Sequence, residues 1–207
     1  MSTTKPPIAI VSLEWDVVDL IESIDAHSIL GFFDANPECA PREFRYLGTD
    51  AAWPKILADV PELKIALAID NPEIRKRLFN HYGSSAILRL QSPHAHVSER
   101  ASVGEGCIVQ RGVNVMPYAE VRTGCKLNVN CTVHHEAQIG AFTTLAPGSQ
   151  ILGNVTIGER VYVGAGAVIR QRCRIGDGAV IGAGAAVVAD VPAGATVVGV
   201  PAKRRLK

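Results

Sequence analysis

The sequence lacks an excess of charge of either sign, and this narrows the class of its partners. Lysine and arginine number 21 against 20 for aspartate and glutamate, which gives a formal net charge of +1 over 207 residues. Binding to nucleic acid or to an anionic membrane depends on clustered positive charge. We therefore expect a small-molecule partner, with no nucleic acid and no membrane.

Long apolar runs are also missing. The apolar segment near the N-terminus is interrupted by Pro6, Pro7 and Glu14, which leaves it too short for a signal peptide or a membrane span. We expect a cytoplasmic protein.

A paired cysteine motif is also missing. The five cysteines include no CxxC pair, so the sequence indicates neither a disulfide framework nor a cysteine metal site. We predict reduced thiols and no metal ion. The environment of Cys39 is not readable from the sequence.

What the sequence does contain is a strict six-residue period. From Val97 to Pro192 the chain divides into sixteen hexads without an insertion, and the first position of every hexad is Val, Ile or Leu. The fifth position is always of small or modest size, and it includes Cys107, Cys125 and Cys131 as well as Cys173. Hexapeptide periodicity is typical of a parallel β-helix, in which three hexads close one triangular coil. The first and fifth positions should face its narrow interior.

Glycines recur at the second and fourth hexad positions, as at Gly104, Gly106, Gly164 and Gly166. Glycine adopts backbone angles that other residues avoid. We expect these glycines to lie at the corners of the coils.

The first ninety residues follow a different pattern. Short apolar runs at 8–12, 28–34 and 63–69 predict buried strands, and the segments 15–24 and 71–82 predict helices. This alternation favours a small α/β unit with a Rossmann-like parallel sheet. We predict an α/β acceptor-binding domain at 1–91 and a β-helix domain at 92–207.

The second predicted helix has Asn71 as its N-cap and Pro72 at its first position. Its basic run, Arg75 to Arg77, is interpreted as a solvated face rather than a phosphate clamp.

Four segments and the C-terminal ending carry a resemblance to a known family. They are GFFD at 31–34, YLGTD at 46–50, ALAIDNPEIRKRL at 66–78, HHEAQIGAF at 134–142 and VPAGATVVGVPAK at 191–203. The chain resembles the hexapeptide-repeat nucleotide-sugar N-acetyltransferases and sialic acid O-acetyltransferases of bacterial surface-glycan synthesis. The resemblance implies a left-handed β-helix, a homotrimer with active sites between subunits, and acetyl-CoA as acyl donor. It implies a sugar acceptor, with the amino group of an amino-deoxy nucleotide sugar as the expected target.

The resemblance also implies site residues. It places the general base on His135 and its acidic neighbour on Glu136, and a histidine that titrates near neutrality suits proton removal from an attacking amine. A nearby carboxylate can hold one tautomer of the ring. The positions implied for acetyl-CoA binding are Thr144, Gly153, Ala165 and Ala183, and those for the acceptor are Ser12 and Asp34.

The N-terminal loop departs from the family pattern. Relatives have Gly-Gly-His-Gly after the first strand, where this chain has Ser12 to Trp15, and Asp70 replaces a common glycine. A bulky, acidic loop would obstruct or repel a pyrophosphate at a helix N-terminus. In addition, Thr144 stands where relatives often carry a second histidine.

Other functions remain open at this point. O-acetylation needs the same base and donor, so the sequence cannot separate it from N-acetylation. A zinc hydratase of the γ-carbonic anhydrase type needs three histidine ligands, and none of the six histidines follows His135. A non-catalytic β-helix scaffold would show no turnover of acetyl-CoA.

Overall fold

The computed structural model of the protein describes residues 5–37 and 43–205, and Cys39 lies outside the described residues. The N-terminal domain has a four-stranded parallel sheet in the order β3-β2-β1-β4. Its strands are β1 (Pro7–Val11), β2 (Ser28–Phe33), β3 (Tyr46–Gly48) and β4 (Lys64–Leu67). Its α-helices are α1 (Trp15–Ile24), α2 (Trp53–Asp59) and α3 (Pro72–Tyr82), and a 3-10 turn, Asp50–Ala52, precedes α2.

The sheet is buried on both sides, which explains the apolar runs that predicted it. In β1, Ile8 and Ile10 pack with α1 on one side, whereas Ala9 and Val11 pack with α2 and α3 on the other. Parallel sheets covered by helices have such strands. The predicted parallel α/β unit is confirmed, but β3 and α2 were not predicted, because β3 is a three-residue edge strand and α2 has only seven residues, including Pro54.

The predicted start of α3 is also confirmed. The side chain of Asn71 accepts a hydrogen bond from the backbone N–H of Ile74 at 3.1 Å, and Pro72 is the first helical residue.

The rest of the chain forms a parallel β-helix with three faces. Each strand pairs with the strand one coil later, as His96 pairs with Asn114. The first face contains β5 (Leu90–Gln91), β8 (Ile108–Val109), β11 (Lys126–Leu127), β14 (Thr144–Leu145), β17 (Tyr162–Val163), β20 (Val180–Ile181) and β22 (Thr196–Val198), with β23 (Lys203–Arg204) antiparallel to β22.

The second and third faces have the same construction. The second contains β6 (His96–Val97), β9 (Asn114–Val115), β12 (Thr132–Val133), β15 (Gln150–Ile151), β18 (Val168–Ile169) and β21 (Ala186–Val187). The third contains β7 (Ser102–Val103), β10 (Glu120–Val121), β13 (Gln138–Ile139), β16 (Thr156–Ile157) and β19 (Arg174–Ile175). The sixteen strands from β6 to β21 each end at a first hexad position, so the predicted period is confirmed.

The interior of the β-helix is a single apolar column. From Cys107 onward the first- and fifth-position side chains are buried, including the four cysteines predicted as core residues, which are all free thiols. The fourth position has positive φ in every hexad from Gly106 to Gly184, whether or not it is glycine. The second-position glycines serve close approach instead, because a Cβ on Gly164 would lie 2.5 Å from the backbone nitrogen of Ala183.

The N-terminal domain docks on the first face through a buried arginine. Arg75 of α3 donates to the carbonyl oxygens of Gly124, Phe142 and Thr143, at 2.7, 2.8 and 3.2 Å. The expectation of a solvated basic face is therefore wrong for Arg75, because α3 turns this side chain toward the β-helix. Arg77 is exposed, as expected.

Candidate active site

His135 lies in the turn that joins β12 to β13. This turn joins the second face of the β-helix to the third. The equivalent turns of all coils form one edge of the β-helix, which we call the second–third edge. The Nδ1 atom of His135 lies 3.0 Å from Oε2 of Glu136, and the side-chain amide of Asn154, one coil later, donates to the same oxygen at 3.2 Å. Because an ionised carboxylate only accepts hydrogen bonds, this geometry places the ring proton on Nδ1. Nε2 is then the nitrogen that can take a proton from an acceptor.

Glu136 is held in its charged form by these two partners. The hydrogen bond from His135 lowers the pKa of Glu136 most, and the bond from Asn154 lowers it further. The backbone of Glu136 has φ of 60°, and that of Asn154 has φ of 59°. Asn154 was not identified from the sequence, although an asparagine at a fourth hexad position one coil after Glu136 was a usable signal.

Gly153 provides the space for the imidazole ring. A Cβ on Gly153 would lie 2.6 Å from Cε1 and 2.7 Å from Nε2 of His135. Any side chain there would displace the ring, so in this chain the glycine serves the position of His135 itself.

A shallow groove of about 360 Å³ runs from His135 toward the later coils. The side chains of His135 and Glu136 are each 55% exposed, which leaves the ring open to this groove. Its remaining lining residues are His134, Leu152, Gly153, Asn154, Gln171 and Arg172.

The other positions implied for acetyl-CoA lie elsewhere. Ala165 follows β17 and Ala183 follows β20, so both lie in turns that join the first face to the second, here called the first–second edge. Thr144 is fully buried under the N-terminal domain, where its hydroxyl donates to the carbonyl oxygen of Asp70 at 2.6 Å. Within one chain, only Gly153 of these four residues lies beside His135.

Ser12 and Asp34, the positions implied for acceptor binding, follow the adjacent strands β1 and β2 at the same end of the sheet. Ser12 has φ of 60°, and its N–H donates to the carbonyl oxygen of Phe33 at 2.9 Å. The carboxylate of Asp34 accepts from the N–H of Asn36 at 2.9 Å.

A buried lysine lies at this same end of the sheet, and sequence reasoning missed it. Lys126 of β11 is fully buried; it forms ion pairs with Glu14 and with Asp70, the latter at 3.0 Å, and donates to the carbonyl oxygen of Ala68 at 2.6 Å. Burial raises the pKa of Glu14, and the charge of Lys126 opposes that rise. No sequence signal could have found this cluster, because Lys126 occupies an outward position that becomes buried only when the domains dock.

Across residues 5–37 and 43–205, no three His, Cys, Asp or Glu side chains are grouped so that they could hold a metal ion. No helix within the same ranges is long and apolar enough to cross a membrane.

Comparison with known proteins gives two family matches. The model described as "PglD N-terminal domain" matches residues 16–82, and the model described as "Bacterial transferase hexapeptide (six repeats)" matches residues 136–171 and 154–189. The first match lies in the α/β domain and the second in the β-helix.

Individual relatives align with most of the chain. The chain is 35% identical over 144 residues to the GDP-perosamine N-acetyltransferase of Escherichia coli O157:H7, an alignment that covers 66% of this chain and 65% of that enzyme, just under two thirds. The acetyltransferase domain of PglB from Neisseria gonorrhoeae FA1090, solved with acetyl coenzyme A, superposes with a TM-score of 0.90 at 28% identity over 97% of this chain and 100% of that one.

PerB from Caulobacter crescentus, solved with CoA and GDP-perosamine, superposes with a TM-score of 0.85 at 29% identity over 96% of this chain and 97% of that one. These findings confirm the resemblance inferred from the sequence and the predicted fold class. The chain is thus similar, in its α/β domain and in its β-helix, to acetyltransferases of the hexapeptide-repeat class.

Proposed function

We propose that this protein transfers the acetyl group of acetyl-CoA to the amino group of an amino-deoxy sugar, with His135 as general base. The hydrogen-bonded series Asn154, Glu136 and His135 carries the proposal, because it presets one tautomer of an exposed imidazole. Relatives that act on GDP-perosamine or that were solved with acetyl-CoA support the choice of donor and acceptor class.

The proposed chemistry is a direct transfer. The acceptor nitrogen attacks the thioester carbonyl, a C–N bond forms, and Nε2 of His135 takes the proton that the nitrogen loses. The C–S bond then breaks, and the imidazolium returns the proton to the departing thiolate. Glu136 stabilises the imidazolium between these steps, as the acid of a hydrolase triad does.

The placement of the residues supports a site shared between copies of the chain. Ala165 and Ala183 lie on the first–second edge, and Asn128, a residue of the same edge, bonds to Asp70 of the N-terminal domain at 3.3 Å. The acceptor domain thus borders the edge implied for acetyl-CoA, while His135 lies on another edge. We propose a homotrimer in which His135 of one copy faces the first–second edge of the next.

The wider setting is proposed on the same basis. Relatives that acetylate a nucleotide-linked amino sugar favour a role in surface-glycan biosynthesis, including O-antigen of lipopolysaccharide, with the reaction in the cytoplasm. A nucleotide-linked amino-deoxy sugar is the acceptor that the family resemblance implies.

The test follows thiol release from acetyl-CoA with a panel of amino-deoxy sugars, each in free and nucleotide-linked form and each beside its hydroxyl counterpart. We expect release with an amino sugar and a fall in kcat/KM of about 10²–10⁴-fold in His135→Ala. His96→Ala is the matched control, since His96 is an exposed residue of the first β-helix coil, away from the groove. Release with the hydroxyl sugar alone would identify an O-acetyltransferase. No release with any acceptor would support a non-catalytic scaffold instead.

A further inference from the structure

The carboxyl end of the N-terminal sheet is the expected place for the acceptor. In open α/β sheets, ligands bind outside the carboxyl ends of the strands, and a helix N-terminus there attracts phosphate. In this chain that place is the start of α1, where Glu14 is the N-cap residue and Asp16 lies in the first turn. The side chain of Glu14 makes no capping hydrogen bond, but two carboxylates of the chain thus lie beside the position that favours an anion.

Lys126 cannot supply the missing positive charge in this arrangement. Lys126 donates hydrogen bonds to Glu14 and to the carbonyl oxygen of Ala68, and it also forms an ion pair with Asp70 at 3.0 Å, so its charge is already matched within the chain. Its side chain is only 1% exposed, whereas those of Glu14 and Asp70 are 30% and 45% exposed. An incoming ligand would meet the carboxylates before the lysine.

Two backbone amides at the strand ends already donate hydrogen bonds within the domain. The N–H of Ser12, which follows β1, donates to Phe33, and the N–H of Asp34, which follows β2, donates to Gly48 at 3.2 Å. The amide that directly follows each of these two strands is thus engaged in the sheet.

These observations indicate whether the acceptor sugar is linked to a nucleotide. We propose that Glu14, Asp70 and Lys126 close the carboxyl end of the N-terminal sheet, here called the crevice, to a nucleoside diphosphate, so that the amino sugar is taken without a nucleotide carrier. The inference deepens the proposed function and rests on it for the identity of the acceptor as an amino sugar. The three residues determine specificity at the N-terminal domain and take no part in the transfer itself.

The first test is calorimetric titration of the wild-type protein with GDP and with UDP, with acetyl-CoA as a positive control. We expect a Kd for either nucleotide weaker than about 1 mM. Micromolar binding of GDP or UDP that competes with the acceptor would overturn the proposal.

The second test opens the crevice. In the Glu14→Gly/Asp70→Gly double variant, Lys126 loses both of its carboxylate partners, and we expect GDP affinity to rise by about tenfold or more. Adding Lys126→Met should remove the gain, and Asp19→Asn, a change of an exposed acid on α1, should not produce it. If the double variant folds but gains no affinity for GDP, the cluster of Glu14, Asp70 and Lys126 does not determine specificity. If the double variant does not fold, GDP affinity is compared between the wild-type protein and Glu14→Gln, which removes the charge and keeps the size of the side chain.

The two proposals fail in different ways. If the wild-type protein acetylates a nucleotide-linked amino sugar with higher kcat/KM than its free form, the proposed function stands and the closed crevice is overturned. If no amino sugar is acetylated, the proposed function fails, while the nucleotide titrations still decide whether the crevice is closed.

Discussion

The β-helix and its junction with the N-terminal domain are held together in different ways. In the β-helix one rule is repeated: an aliphatic residue points inward in each of sixteen hexads, and in the fourteen hexads from Gly106 to Gly184 the corner after it turns at a fourth position with positive φ. At the junction each contact occurs once, and the buried groups include the cations of Arg75 and Lys126. The repeated part sets the shape, whereas the junction fixes what the chain can bind.

The junction should be the more sensitive region, and Arg75→Met tests this with the largest expected effect. The substitution removes donors from five carbonyl oxygens, three in the β-helix and two, of Ile69 and Asp70, in the N-terminal domain. The oxygens of Asp70 and Thr143 keep another donor, in the hydroxyl of Thr144 and the N–H of Lys126. Buried acceptors that do lose their partner are costly, so we expect a loss of about 4 kcal/mol in the free energy of unfolding. Denaturant unfolding at a fixed protein concentration measures it.

Arg77→Met is the matched control for Arg75→Met, because Arg77 lies on the same helix and is exposed. We expect it to change stability by no more than about 0.5 kcal/mol. Equal effects of the two substitutions would mean that the domains dock without help from the buried guanidinium.

A smaller effect is expected inside the β-helix, where the alternation of one strand provides a matched pair. In β18, Ile169 is fully buried and Val168 is 38% exposed. Ile169→Ala should lower the free energy of unfolding by about 3 kcal/mol, because it loses buried apolar surface and leaves a cavity. Val168→Ala should change it by no more than about 0.5 kcal/mol. Thermal or denaturant unfolding of both variants checks this. A similar loss in both would show that the outer surface is covered by another copy of the chain.

The same contrast separates what the sequence predicted from what it could not. The period of six fixed the strands of the β-helix and the burial of its cysteines, because each inward position obeys one local rule. The role of Arg75 and the burial of Lys126 depend on contacts between residues about fifty or more positions apart, such as Lys126 with Glu14. No local pattern encodes such contacts. His135 was proposed from a family motif, but its orientation by Asn154 needed the stacking of coils.

The smallest expected effect concerns a corner rather than the core. The pKa of Glu136 lies below its ordinary value, so its ionised form contributes stability above that value, and the contribution fades as pH falls through the lowered pKa. Because the side chain is 55% exposed, screening by solvent should hide this in unfolding measurements.

The pKa of Glu136 itself is measurable by NMR titration of its carboxyl carbon. Asn154→Ala removes one hydrogen-bond donor, so the pKa should rise toward its ordinary value, while Asn130→Ala, at a corner with φ of 58° on the first–second edge, should leave it unchanged. If Asn154→Ala leaves the pKa unchanged, the amide does not hold the carboxylate, and His135 alone accounts for the shift. If the pKa rises, a residue one coil away presets the catalytic pair, and the stacking of coils that builds the core also positions the corner.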